Sequence, residues 1–402
     1  MRMVEAKTLT CFKAYDVRGK LCQELNEDII YQIGRPHAQY LNAKRMVVGC
    51  DIRLSSASSK QALINGLIDS GVDAIDIGMT DTEEIYFSAF HLDADSSIEV
   101  TASYNPIDYN GLKFVRRGAP PIGGDSGLRE RQSLAENNIF AEVAKKGTTI
   151  KQSPLTPYVN HLIGHLVVNN LKPLKIVVNA GNGTAGQVID ALEQKISELK
   201  IPFSFIKVNH HADGNFPNGI LNPILIEDRA STENAVKDNQ ADLGVAWDGD
   251  FDRCFLFDEN GDFIEGYYIA GLLAEAFLIK HPNEKIIYNQ RLTWNTIELI
   301  CVANKPLSSL VSERIVLYPC SGEINYTVEN TQSAIKKVLD FYFEQNPKID
   351  KTDGISLDFG DWYFNLRPSN TEPLLRLNVE TKANGEALWY HVGQLEKRIT
   401  TQ

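Results

Sequence analysis

Apolar and polar residues recur along this chain in two periods, and the alternation between them predicts a succession of strands and helices. "RMVVGCD" (45–51) is a short apolar run ending in Asp51, as a buried strand would be. "SSKQALINGLIDSG" (58–71) has helical spacing and closes on Gly71, and "VDAIDIG" (72–78) and "SSIEVTA" (96–102) are strand-like. "GLRERQSLAE" (127–136) is helical again. Alternating strands and helices predict an α/β layer over residues 1–150.

A polar break, "KKGTTIKQSPLTP" (145–157), precedes a second α/β unit over 151–257. Its strands are "LKIVVNA" (174–180), "PFSFIKVN" and "DLGVAW" (242–247), and its helices include "QVIDALEQKISELK" and "ENAVKDNQA". A third unit, 258–305, starts with the helical "GYYIAGLLAEAFLIKH" (266–281) and the strand "KIIYN" (285–289), then stops. About fifty residues cannot enclose a core of their own. The last unit, 306–402, mixes helices with the hairpin-like "DGISLDFGDWYFNLRPS" and the strand "LLRLNVET", which suggests α+β. The expected fold is therefore α/β, in mixed domains with a C-terminal α+β domain.

Composition narrows the function. The net charge of −12 disfavours nucleic acid as a partner, because phosphate backbones select basic surfaces, but a few focused arginines still suit a small anion. Six scattered cysteines without a C-x-x-C pair fit reduced thiols. The N-terminus lacks a signal-peptide pattern and no run approaches a membrane span, so the expected location is the cytoplasm.

The strongest chemical signal is "DGDFD". Asp248, Asp250 and Asp252 alternate, and an extended segment would aim all three to one side. Three carboxylates repel one another unless a cation sits among them, and oxygen ligands suit Mg²⁺ or Ca²⁺. An EF-hand is excluded: Arg253 stands where its loop needs glycine, and the flanks are strands. A solvated acidic turn is the plainer alternative. "GNGTAG" (181–186) matches a dinucleotide fingerprint, but the following strand ends in Val208-Asn209 without the acidic ribose ligand. It reads better as a tight strand-to-helix turn.

"NLRPSNTEPLLRL" (365–377) gathers Arg367, Ser369, Asn370 and Thr371 in one turn, with Arg376 on the next strand. These groups can hydrogen-bond a phosphate dianion from several sides, though a decorated β-turn has the same composition. "AYDVRGK" (14–20) places Arg18 in a strand-end loop. "IEVTASYNPIDYNG" (98–111) presents Ser103 after a strand. A serine, a carboxylate trio and a phosphate-grasping loop together suggest phosphoryl transfer. A Ser-His-Asp hydrolase would want G-x-S-x-G, which "TASYN" lacks.

"AYDVRG", "VTASYNPIDYNGLKFV", "WDGDFDRCF" and "RPSNTEPLLRLNVE" stand in the order found in the α-D-phosphohexomutase superfamily, and nearly the whole chain is similar to its bacterial phosphomannomutase branch. The resemblance implies four domains around a cleft, with Ser103 as a phosphoserine. It would interconvert mannose 6-phosphate and mannose 1-phosphate, or the glucose pair, primed by a hexose 1,6-bisphosphate. Mg²⁺ would be held by Asp248, Asp250, Asp252 and the Ser103 oxygen or its phosphate. Lys113 would serve in proton transfer or charge stabilisation. Arg18, Arg253 and Arg291 would hold phosphate, and Arg367, Ser369, Asn370, Thr371 and Arg376 would clamp the phosphate that does not react.

Two departures qualify this. The motif T-A-S-H-N-P carries Tyr104 in place of histidine, and a phenol is a poorer proton shuttle than imidazole near neutral pH. The third domain lacks the Gly-Glu-x-Ser sugar-recognition loop and reads as truncated. These departures support an alternative: a degenerate, non-catalytic homologue that binds phosphosugar or a protein partner.

Overall fold

In the computed structural model, residues 8–166, 171–280, 305–328, 330–351, 354–368 and 374–400 are described. They fall into two compact units: residues up to 266 together with 270–304, and residues 267–269 together with 305–402. The strand expected at 285–289 lies outside the described residues.

The first unit holds two sheets. One has β1 (Val17–Lys20), β2 (Arg45–Cys50), β3 (Asp73–Met79), β4 (Ser96–Val100), β5 (Tyr109–Arg116) and β6 (Thr149–Lys151), in the order β1-β5-β4-β2-β3-β6. β4, β2, β3 and β6 run parallel, β5 pairs antiparallel with β4, and β1 pairs antiparallel with β5. Parallel strands need both faces covered. Accordingly, Met46 and Val48 pack with Ile30, Ile33, Leu63 and Leu67, whereas Val47 packs with Ile75, Ile77 and Ile85. The helix Glu27–Tyr40 is capped by Asn26, whose side chain accepts from Ile29 N, and Asp81 caps Thr82–His91 in the same way through Glu84 N. Arg18 lies within β1, opposite Gly111, and not in a strand-end loop as its sequence suggested. Four residues with little apolar pattern were too short to read as a strand; pairing with β5 makes them one. Glycine is required at 111, because a Cβ there would meet the Val17 carbonyl at 2.1 Å.

The second sheet contains β7 (Leu174–Asn179), β8 (Phe203–Val208), β9 (Leu243–Trp247), β10 (Cys254–Phe257) and β11 (Phe263–Ile264), ordered β11-β10-β9-β7-β8. β7, β8 and β9 are parallel. "GNGTAG" forms the turn from β7 into the helix Ala185–Glu198. A Cβ on Gly183 would lie 2.6 Å from the Gly249 carbonyl, so this turn packs against the "DGDFD" loop.

The second unit has β12 (Ile324–Thr327), β13 (Lys348–Asp350), β14 (Ile355–Asp358), β15 (Trp362–Pro368) and β16 (Leu374–Thr381), ordered β12-β16-β15-β14-β13 and antiparallel throughout. Leu357, Phe364, Leu366, Leu375 and Leu377 point to one face and pack with Val338, Leu388 and Leu395 of the helices Thr331–Phe343 and Gly385–Thr400. This is the expected α+β arrangement.

Candidate active site

The loops that follow β2, β3, β4 and β9 meet at the carboxyl ends of the parallel strands, where open α/β sheets place their sites. Ser103 follows β4. It is buried, with φ of +50°, in the left-handed region that few residues other than glycine occupy. Such a conformation costs on the order of 1 kcal/mol and persists only where its surroundings enforce it.

Arg53 supplies that enforcement. Its Nη2 donates to the carbonyls of Ser103 at 2.7 Å and Asn105 at 2.5 Å, and its Nη1 to those of Pro106 at 2.8 Å and Tyr109 at 3.2 Å. Arg53 is itself buried, and Asp51 balances its charge with Oδ2 3.4 Å from Nε. Ser103 N also donates to Thr101 Oγ1. Sequence reasoning missed Arg53. The available signal was an arginine two residues beyond the aspartate that ends an apolar strand.

The Ser103 hydroxyl donates to Asp248 Oδ2 at 2.9 Å. Asp248 also receives Arg253 Nε at 3.0 Å and Nη2 at 2.6 Å. Lys113 Nζ lies 2.6 Å from Oδ2 of both Asp250 and Asp252, and Thr82 and Thr101 hydroxyls donate to Asp250 Oδ2 at 3.2 Å. The structure thus brings together Ser103, Tyr104, Lys113, Asp248, Asp250, Asp252 and Arg253. The Tyr104 ring lies under Arg253, 4.2 Å from the guanidinium carbon. Arg18 reaches the serine loop through Asn105 Oδ1, at 3.4 Å, and pairs with Asp16.

The three aspartates converge by a different route from the one their alternation suggested. Residues 248–253 turn instead of running extended: Phe251 N donates to the Asp248 carbonyl, and Phe251 has φ of +61°. One oxygen from each carboxylate lies within 4.8 Å of the others. Oδ1 of Asp250 and Oδ1 of Asp252 are buried with no hydrogen-bond partner. Hard, orphaned oxygens in such a cluster fit a divalent cation.

Burial pushes the Asp248 carboxyl above the usual carboxylate range, against the pull of Arg253. Burial acts on Asp250 in the same sense, but Lys113 outweighs it and holds that carboxyl below the range. Burial also works to strip the Lys113 proton, and Asp250 and Asp252 overcome it, so the Lys113 pKa is raised. Asp250 and Asp252 thus favour the charged form of Lys113.

In the second unit, Arg367 and Arg376 stand opposite each other across β15 and β16. Glu323 lies between them, with Oε2 3.1 Å from Arg367 Nη2 and Oε1 3.5 Å from Arg376 Nη1. Sequence reasoning also missed Glu323. Ser369, Asn370, Thr371 and Arg291 lie outside the described residues.

Models of the phosphoglucomutase/phosphomannomutase family match the chain in three places: α/β/α domain I over residues 10–135, α/β/α domain II over 156–261, and the C-terminal domain over 323–389. The chain belongs to this family. The family's third-domain model has no match in it. A phosphomannomutase from Vibrio cholerae is 50% identical over 98% of this chain and 99% of its own length. One from Escherichia coli K12 is 48% identical over 94% and 96%. The Vibrio alignment spans 457 positions against a chain of 402 residues, so at least 55 positions of that relative stand opposite gaps. A crystal structure of a family protein from Burkholderia thailandensis superposes with a TM-score of 0.82 at 25% identity, covering 97% of this chain and 96% of that one. Among the described residues, no helix is long and apolar enough to cross a membrane.

Proposed function

We propose that this family member is a phosphohexomutase that interconverts mannose 6-phosphate and mannose 1-phosphate through a phosphoserine at Ser103. The observation that carries the reading is the Ser103 hydroxyl bonded to Asp248, within a carboxylate trio balanced by Lys113 and Arg253. In the reaction, the bond between phosphorus and Ser103 Oγ breaks and a bond from phosphorus to a sugar hydroxyl oxygen forms, and the proton of that hydroxyl replaces the phosphoryl group on Ser103 Oγ. The resulting hexose bisphosphate turns end for end and returns its other phosphoryl group to Ser103, which regains the phosphoserine. A free hexose 1,6-bisphosphate would prime the first cycle.

Asp248, Asp250 and Asp252, with the Ser103 oxygen, would hold Mg²⁺, which supplies positive charge to the transferring phosphoryl group. Lys113 and Arg253 add fixed charge beside it. Arg53 holds the Ser103 backbone still while the phosphorus changes partners. Arg18, bonded to Asn105 of the serine loop, would meet phosphate there. Arg367 and Arg376, with Ser369, Asn370 and Thr371, would grip the phosphate that is not reacting. Glu323 keeps the two arginines paired until phosphate replaces it. Arg291 would bind phosphate from the shortened third unit.

Intact mass spectrometry before and after a hexose 1,6-bisphosphate is the test, alongside a coupled assay with mannose 1-phosphate and Mg²⁺. One added phosphoryl group, absent in Ser103→Ala together with turnover, is expected. Unchanged turnover in Ser103→Ala would refute the reading. A phosphorylated but inactive chain would favour the degenerate homologue.

A further inference from the structure

Thr82 opens the helix Thr82–His91, and Thr101 follows β4. Both are buried beside Asp250, which is itself fully buried. Thr82 holds Asp250 twice: its N–H donates to the Asp250 carbonyl at 3.2 Å, and its hydroxyl donates to Oδ2 at 3.2 Å. Lys113 Nζ lies 3.3 Å from Thr82 Oγ1. An ammonium can only donate, so it fills a lone pair of that oxygen and leaves the hydroxyl proton to Asp250. Thr101 Oγ1 accepts from Ser103 N at 2.9 Å and donates to Asp250 Oδ2 at 3.2 Å.

Asp250 Oδ2 therefore has three donors, counting Lys113 Nζ at 2.6 Å, while Oδ1 of the same carboxylate is buried with none. The two oxygens are not equivalent to an arriving cation. Lys113 carries a charge that the cation repels. The threonine hydroxyls are neutral and can stay on Oδ2 beside it. The ion then meets Asp250 through Oδ1 alone. That restriction bears on the choice of ion. Mg²⁺ demands a compact octahedron, which one oxygen per carboxylate suits. Ca²⁺ takes more ligands at longer distances and readily accepts both oxygens of one carboxylate.

We infer that Thr82, assisted by Thr101, is a positioning residue that favours Mg²⁺ over Ca²⁺ at the carboxylate trio, by reserving Asp250 Oδ2 and leaving Oδ1 as the oxygen offered to the ion. The inference rests on the reading of the trio as a divalent-cation site.

Calorimetric titration of the full chain with Mg²⁺ and with Ca²⁺ tests it without recourse to turnover. Thr82→Val keeps the shape of the side chain and removes the donor. It should weaken Mg²⁺ binding about tenfold and Ca²⁺ binding by less than about twofold. Thr82→Ser keeps the hydroxyl and should match the unaltered chain. Equal losses for the two ions in Thr82→Val would overturn the inference and leave the trio a cation site. So would a Thr82→Ser chain that loses as much Mg²⁺ affinity as Thr82→Val. Binding of neither ion to the unaltered chain would refute the cation site and the inference with it. Should Thr82→Val not fold, a crystal of the unaltered chain soaked in Mn²⁺ decides the matter. Coordination through Asp250 Oδ1 alone is expected, and coordination through Oδ2 or through both oxygens would refute the inference.

Discussion

Arg253 holds Asp248 with two nitrogens, at 3.0 and 2.6 Å, while its guanidinium rests 4.2 Å from the centre of the Tyr104 ring. Tyr104 therefore props the arginine that neutralises a candidate metal ligand, a task separate from the proton shuttling that histidine would perform. Tyr104→Ala should weaken phosphosugar binding about fivefold, the equivalent of ~1 kcal/mol of lost stacking, as read by calorimetry. Tyr104→His should speed phosphorylation of Ser103 by a hexose bisphosphate about tenfold in rapid-quench measurements. If the rate does not move, the tyrosine is no handicap.

Lys113 occupies the position between Asp250 and Asp252 that a divalent ion would compete for. Removing it leaves the buried Asp250 carboxylate facing the partly buried Asp252 carboxylate, at a cost of roughly 3 kcal/mol. Lys113→Met should melt well below the unaltered protein in chelator, and Mg²⁺ should recover more of its stability than it adds to the unaltered chain. An equal gain in both would show that lysine and metal do not compete.

His37 is buried against Phe114, and burial, reinforced by Arg131, holds its pKa well below the ordinary histidine value. The unfolded chain takes up this proton below about pH 6.5 while the folded chain does not. Stability is thus fully present above that pH and falls as the pH drops, by at most about 1.4 kcal/mol per unit from this group. Urea midpoints from pH 7.5 to 5 should show the decline, and His37→Asn should flatten it. A decline of the same steepness in the variant would assign it to other groups.

The helix Leu307–Leu317 ends in consecutive exposed apolar residues, Ile315, Val316, Leu317 and Tyr318, with Val316 70% exposed. A run of this kind is unusual on a monomer surface. The protein should bind a hydrophobic dye in its native state, and Val316→Lys with Leu317→Glu should cut that signal by about half without lowering the melting temperature. A native protein that binds no dye would mean this surface is covered in solution.

Legibility in the sequence followed periodicity. Central strands such as Arg45–Cys50 and Leu243–Trp247 are continuous apolar runs and appeared at nearly their observed limits. Val17–Lys20 did not, because a four-residue edge strand is defined by its partner and not by its own composition. Among site residues, Ser103 and the three aspartates stand in short local motifs. Arg53 and Glu323 act on groups about fifty residues away, which nothing local in the sequence announces. The trio's alternation pointed to the right residues for an incomplete reason, since a turn at Phe251 gathers them.

Arg53 grips the serine loop only through main-chain carbonyls, at residues 103, 105, 106 and 109. A clasp of that kind is indifferent to side-chain identity along the loop. Substitutions at 104, 105, 107 or 108 can accumulate without displacing Ser103, provided the backbone path is kept. The loop is thus a place where this lineage can vary the chemistry next to its nucleophile while the nucleophile stays put. The tyrosine at 104 is one such experiment already performed.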